Sequence, residues 1–221
     1  MNSAGLYIHI PFCISKCSYC DFFSIPGTEI PDSYITRLIQ EHEYRKNQAN
    51  VLWSSVYVGG GTPSLLSEKH IARLFAAVLP NCTKDVEITF ECNPDDVRPE
   101  LISALKDSGV TRISLGIQSF SNEKLEFCKR RSSKEINEKA LELIQKADFH
   151  HFSADLIAGL PPLNDDGNQL MYDISRLISF GVDHISLYAL TLEEGTPLFN
   201  QVKHNPQLID ESKSDELWIM G

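Results

Sequence analysis

Cys13, Cys17 and Cys20 stand in the run Phe12-Cys13-Ile14-Ser15-Lys16-Cys17-Ser18-Tyr19-Cys20-Asp21, a C-x3-C-x2-C spacing. Closely grouped cysteine sulfurs hold iron–sulfur clusters, so this loop can ligate three irons of a [4Fe–4S] cluster. Asp21, Phe22 and Phe23 follow, and no fourth cysteine comes nearby. Three protein thiolates leave one iron open, which suits chemistry at the cluster rather than electron transfer alone. Zinc is the alternative, with a fourth ligand such as Cys92 or a histidine. Zinc ribbons favour C-x2-C pairs, so the first step of this spacing argues for the cluster. Gly59-Gly60-Gly61-Thr62-Pro63 is the second notable run. Glycines let a backbone approach a ligand closely. No Gly-Lys-Ser/Thr follows, which disfavours a nucleoside-triphosphate loop.

These groups work together only if the fold converges them. Strands are expected over 6–10, 56–59, 87–91, 112–118, 152–157 and 184–190. Helices are expected between them. One opens at Pro31-Asp32-Ser33 and runs to about 46, and one is capped by Ser67 with Ile71, Leu74, Phe75 and Val78 at helical spacing. One starts at Pro99-Glu100 and ends at Gly109, one is capped by Ser133, and one over about 168–180 stops at Gly181. Such alternation implies parallel strands joined by crossovers. Six units fall short of a closed eight-fold barrel. They leave an open partial barrel or a doubly wound sheet. The expected class is therefore α/β, as a partial (β/α)6 TIM-like barrel, with 1–200 as its core. From Thr191 the sequence turns polar and irregular before a last helix over 211–220. Residues 201–221 are expected to begin a C-terminal helical region cut short, because Leu217-Trp218-Ile219-Met220 stands at the very end.

In βα folds the working residues sit at the carboxyl ends of the strands. The cysteine loop follows the first strand, and the glycine run ends the second. Glu91 ends the third, Gln118 ends the fourth, and Asp155 lies in the fifth. A ring of Glu, Gln and Asp beside a cluster suits a polar, amine-bearing ligand. Taken singly, each carboxylate or amide is as readily a solvated strand end. His9 and Tyr7 alternate on the first strand and are expected to face the barrel interior. Cys82, Cys92 and Cys128 read as plain thiols. Lys129-Arg130-Arg131 reads as a solvated turn with one arginine free to meet a carboxylate ligand.

The totals exclude other classes. The 221 residues carry a formal charge of −10, with no long Lys/Arg run, which argues against nucleic acid or an anionic membrane as main partner. No stretch approaches the ~18 apolar residues of a membrane span. Met1-Asn2-Ser3-Ala4-Gly5 has neither a basic n-region nor a long apolar h-region, so no secretory signal is expected. Six cysteines in so ordinary a composition, three of them bunched, favour a reducing cytoplasm over a disulfide scaffold.

The three cysteines, Tyr19 before the last of them, and Gly59–Pro63 at the second strand together resemble the radical S-adenosylmethionine superfamily. Leu6-Tyr7-Ile8-His9-Ile10-Pro11-Phe12-Cys13, Ser114-Leu115-Gly116-Ile117-Gln118-Ser119-Phe120 and Asp155-Leu156-Ile157-Ala158-Gly159-Leu160-Pro161 are similar to its anaerobic coproporphyrinogen III oxidase group. The resemblance implies a radical SAM type of partial barrel. It implies Cys13, Cys17 and Cys20 as cluster ligands, and S-adenosylmethionine contacts at Tyr7, Tyr19, Gly60, Gly61, Thr62, Glu91, Gln118, Arg130 and Asp155. It also implies reductive cleavage of the bound sulfonium. The oxidases carry a further cysteine where this chain has Phe22. Cys20-Asp21-Phe22 and His184-Ile185-Ser186-Leu187-Tyr188 instead resemble the HemW-type haem chaperones. That likeness implies haem as a third ligand and a membrane respiratory protein as its recipient. The negative charge fits a protein that reaches a membrane through a protein partner, so no nucleic acid and no direct membrane insertion are expected. The alternative that the likeness leaves is an oxidative decarboxylase of porphyrinogen propionates. The His-Asn-x-x-Tyr-Trp motif of the chaperone group does not occur in the 221 residues.

Overall fold

The computed structural model describes residues 3–162, 167–209 and 211–220. Asp210 and Gly221, both within the expected C-terminal region, lie outside the described residues. In chain order the elements are β1 (Ser3–Ile10), β2 (Phe12–Cys13), β3 (Ile25–Pro26), α1 (Asp32–Ala49), β4 (Leu52–Gly60), α2 (Glu68–Val78), β5 (Cys82–Cys92), α3 (Pro99–Asp107), β6 (Arg112–Gln118), α4 (Asn122–Phe127), α5 (Lys134–Ala147), β7 (His151–Ala158), α6 (Asn168–Ser179), β8 (His184–Ala189), α7 (Pro197–His204) and α8 (Glu211–Met220).

Strands β1, β4, β5, β6, β7 and β8 form one sheet in that order, each parallel to its neighbours. The order follows the chain without reversal, so the sheet has no switch point of the doubly wound kind. It is the half-barrel expected, with helices on the outer face. β2 and β3 pair separately and frame the cysteine loop.

The period of two along each strand separates two faces. Ile8 and Ile10, Val56 and Val58, Ile88 and Phe90, Ile113, Leu115 and Ile117, and Ala154 and Leu156 are all buried in the core. They meet the helix stripes, including Ile71, Leu74, Phe75 and Val78 of α2 and Ala140, Leu141 and Ile144 of α5. The intervening residues are Tyr7, His9, Tyr57, Gly59, Glu91, Ser114, Gly116, Asp155, Ser186 and Tyr188. The parallel register places Tyr7 beside Tyr57, Glu91 beside Ser114, and Asp155 between Gly116 and Ser186. Parallel sheets normally bury apolar side chains on both faces. Here one face is polar, and that face holds the site.

Four helix starts have a side-chain cap. Ser67, Ser121, Ser133 and Thr196 each accept a backbone N–H three residues on, from His70, Lys124, Ile136 and Phe199. Two helices depart from the sequence expectation. α4 spans only six residues, too few for a periodic pattern. α7 occupies part of the stretch read as irregular after Thr191, where Thr196-Pro197 supplies a cap and a first-turn proline. The boundary expected between 200 and 201 falls inside α7.

Candidate functional site

A cleft of about 450 Å³ opens at the carboxyl ends of β1, β4, β5, β6 and β7, in the range of small-molecule sites. Cys13, Cys17, Tyr19, Cys20, Gly60, Gly61, Thr62, Glu91, Gln118, Arg130 and Asp155 all line it. Of the residues expected at the site, Tyr7 alone is not in the lining. It lies on the same polar face, its ring stacked 6.1 Å from Tyr57 and its hydroxyl 3.1 Å from His9 Nδ1.

The cysteine loop is tied down from behind. Ser18 N–H donates to Cys128 O (3.0 Å), and Leu198 N–H donates to Ser18 O (2.8 Å). Cys20 N–H closes a turn on Cys17 O at 3.2 Å, and Gly27 N–H reaches Cys13 O at 2.9 Å. All six cysteines are free thiols. Burial pushes the Cys20 thiol up, and more strongly those of Cys92 and Cys128, with Cys128 at about 12.

The glycine run makes room. A Cβ on Gly59 would stand 2.9 Å from Glu91 Cδ and from Tyr57 Cε1. Gly60 has φ +119°, and a Cβ there would stand 2.7 Å from His9 Nδ1. At Gly61 it would stand 2.8 Å from Phe12 O and 3.0 Å from Cys13 Sγ. The bare backbone therefore lies directly against Cys13 and Glu91. Thr62 Oγ1 donates to Cys13 Sγ (3.4 Å).

Two carboxylates mark the middle of the polar face. Glu91 accepts from Tyr57 O–H (2.7 Å) and from Gly60 N–H (3.2 Å). Asp155 accepts from Ser114 O–H at 3.5 Å and from Ser186. Burial raises the pKa of both, and their mutual repulsion adds to this for Glu91. Burial also raises Tyr57 and Tyr19, keeping both phenols protonated as donors. Arg130 is the one member of the basic run that turns inward. Its guanidinium donates to Gly116 O (2.6 Å), Asn93 Oδ1 (3.4 Å) and Cys17 Sγ (3.7 Å). Its Nε is buried without a partner, a donor left over for a ligand. Arg131 instead pairs with Asp96 at 2.8 Å.

Tyr57, Asn93, Ser114 and Tyr188 also line or support the cleft. The sequence reading passed over Tyr57 and Ser114 as site residues. The signal for them was strand alternation, since each sits two residues before a glycine on the polar face.

The donor set fits a cluster. Among the described residues, no three His, Cys, Asp or Glu side chains converge closely enough to hold a single ion. A [4Fe–4S] cube meets each thiolate at a different iron, so its ligands need not converge on one point. The thiols share one cleft, and Gly61 keeps the space beside Cys13 clear.

Known proteins resemble this chain over most of its length. A family model described as the Radical SAM superfamily matches residues 7–173. Heme chaperone HemW of Lactococcus lactis subsp. lactis is 36% identical over 221 residues, covering 98% of this chain and 56% of that protein. Heme chaperone HemW of Escherichia coli is also 36% identical over 221 residues, covering 97% and 56%. The chain thus spans about half the length of the curated relatives it matches. Among solved structures, coproporphyrinogen III oxidase (HemN) from Escherichia coli superposes with a TM-score of 0.76 at 24% identity, over 92% of this chain and 52% of that one. At that identity the likeness is one of fold.

Proposed function

The chain belongs to the radical SAM superfamily, and on that premise we propose that it is the cluster- and S-adenosylmethionine-binding core of a haem chaperone. The observation that carries this reading is the convergence of three free cysteines, a bare glycine backbone, two half-buried carboxylates and Arg130 on one cleft. Cys13, Cys17 and Cys20 hold a [4Fe–4S] cluster, and the side chains beyond them hold S-adenosylmethionine. When bound, the pair supplies a reducible cluster with an open iron beside a cleavable sulfonium.

The chain's own groups do the rest. Arg130 offers its unpaired Nε to the methionyl carboxylate. Gly60 and Gly61 would let the methionyl group approach the strand end without a side chain in the way. Glu91 and Asp155 face the amine and ribose. Tyr57 orients Glu91 through its 2.7 Å bond. Tyr19, packed beside Arg130 and the cysteine loop, closes that end of the cleft against water.

Haem follows from the relatives named heme chaperone and from the open polar face. Tyr7, Tyr188, Phe22 and Phe23 are more than half exposed there or on the cysteine loop, leaving broad aromatic surface for a flat ligand. The partner is a haem-recipient membrane protein. No helix of the described residues is long and apolar enough to cross a membrane, and the six free thiols support a cytoplasmic setting. The strands through β8 act as the core, and α7 and α8 form a helical region after it.

Anaerobic reconstitution with iron and sulfide, followed by haem titration and a 5′-deoxyadenosine assay, tests the proposal. Cluster and haem binding with little turnover supports it. Vinyl product from coproporphyrinogen III would overturn it in favour of the oxidase.

A further inference from the structure

Gln118 ends β6 in an unusual way. Its φ is +66°, and Ser119 N–H bonds to Ile117 O at 2.8 Å, closing a three-residue turn around it. A turn of this hand, with positive φ at a residue bearing a side chain, is rare and strained. The register of β6 against β7 slips between Gly116 and Gln118 at the same place. The slip lays the Gln118 amide back over Gly116, where an added Cβ would stand 2.9 Å from Gln118 Nε2 and 3.5 Å from Arg130 Nη2. The strained turn therefore delivers the Gln118 amide beside the guanidinium in the cleft.

Strain of this kind persists only where the surroundings over-determine it. Two buried polar side chains do so here, both from helices on the outer face. Asn137 of α5 is fully buried, and its Nδ2 donates to Ile117 O (3.3 Å) and Ser119 O (2.9 Å), the carbonyls on either side of Gln118. Its Oδ1 has no partner among the described residues, so the polarity seen here serves this turn. Asp173 of α6 is 3% exposed and accepts from Ser119 O–H (2.6 Å) and Phe120 N–H (3.0 Å). Gln169 Nε2 braces the same carboxylate at 2.6 Å, and Ser119 Oγ accepts from Ser121 N–H at 3.1 Å. Buried polar groups cost free energy unless fully bonded. Two of them spent on one turn, on the far side of the sheet from any ligand, point to positioning.

We propose that Asn137 and Asp173 are positioning residues that clamp the left-handed turn at Gln118 and so fix its amide against bound S-adenosylmethionine. The proposal rests on the cofactor reading above.

The test uses the whole chain, loaded anaerobically with iron and sulfide. S-adenosylmethionine affinity is measured for the unsubstituted chain, Asn137→Leu, the milder Ser119→Ala, Gln118→Ala, and each clamp variant combined with Gln118→Ala. Outer-shell partners of a bound group typically matter by roughly 10-fold or more. Asn137→Leu is expected to weaken binding by about that factor and Ser119→Ala by less, with iron content unchanged. In the Gln118→Ala background the clamp variants add little. Amide exchange of Ser119 and Phe120 in the unliganded chain accelerates in both clamp variants. Equal losses with and without the Gln118 side chain would overturn the proposal, as would unchanged exchange at the turn. Failure of the unsubstituted chain to bind would overturn the cofactor reading itself. Binding that is the same in every variant would overturn only the clamp.

Discussion

Three glycine-to-alanine substitutions separate backbone strain from crowding at the cleft. Gly195 has φ +86° and nothing within 4 Å of an added Cβ, so Gly195→Ala carries strain alone. The cost of a left-handed residue with a Cβ is about 1–2 kcal/mol. Gly59 has no positive φ, but its Cβ would press on Glu91 and Tyr57 at 2.9 Å. Gly59→Ala must displace the carboxylate from its bonds to Tyr57 and Gly60, about 1–3 kcal/mol. Gly60→Ala carries both penalties. Its φ of +119° is tolerated by little besides glycine, and its Cβ meets His9 at 2.7 Å and the Ile10 backbone N at 3.1 Å. Strain of about 1–3 kcal/mol and overpacking of about 1–3 kcal/mol place the total near ~4 kcal/mol. For a chain of this size that lowers Tm by roughly 8–16 °C. Thermal and urea unfolding give the stability order Gly60→Ala worst, then Gly59→Ala, then Gly195→Ala. S-adenosylmethionine binding gives a different order, with Gly59→Ala and Gly60→Ala both impaired and Gly195→Ala unaffected. If Gly60→Ala proves no less stable than Gly195→Ala, His9 yields freely and the crowding argument is wrong.

Three further outcomes are expected. Replacing Cys13, Cys17 or Cys20 by serine abolishes the reconstituted iron–sulfur chromophore, whereas Cys82→Ser retains it; iron and sulfide assays on each variant check this. Leu198→Ala opens a cavity at a fully buried position beside the cysteine loop, with an expected loss of about 2–5 kcal/mol by urea unfolding, and a loss below ~1 kcal/mol would contradict the packing described. Stability should also depend on pH in two opposing ways. Asp173 has a raised pKa from burial, so its share of stability is full below the ordinary carboxylate value and is lost as pH rises through the raised one. His42 is lowered by burial and accepts from Trp53 Nε1 at 3.0 Å, so its share is full above the ordinary histidine value and is lost as pH falls towards the lowered one. Unfolding titrations of Asp173→Asn and His42→Leu should each flatten one of these limbs, and a limb that survives its substitution belongs to another group.

Much of the fold was legible because the strands carry apolar residues at alternate positions and helices follow them, several opened by a Ser cap or a first-turn proline. What was not legible has local causes. β4 begins at Leu52, and its pairing slips between Trp53 and Ser55, where the two serines break the apolar pattern. β5 begins at Cys82, ahead of the expected start; Cys82 pairs with Trp53, and the ladder with β4 resumes only at Glu87, so the polar Lys84-Asp85 stretch gives no alternating pattern to read. The separate pairing of Phe12 with Ile25 depends on how the cysteine loop closes, which spacing does not reveal. At the site, the cysteines and glycines were readable because their chemistry and backbone freedom are distinctive. Arg130 was readable only as one of three basic neighbours, and the structure decides among them by turning it inward while Arg131 pairs with Asp96. Asn137 and Asp173 could not be singled out, since on their helices they occupy ordinary inward positions. Their role emerges only once the turn at Gln118 is seen.

The proposed site has three thiols holding a cluster whose remaining iron would meet S-adenosylmethionine in this cleft. The most direct measurement is the electron paramagnetic resonance spectrum of the reduced, reconstituted chain with and without S-adenosylmethionine, alongside metal analysis. A [4Fe–4S] signal that changes on addition, and fails to change in Gly59→Ala, is expected. Zinc in place of iron, or a cluster signal indifferent to S-adenosylmethionine, would contradict the proposed site.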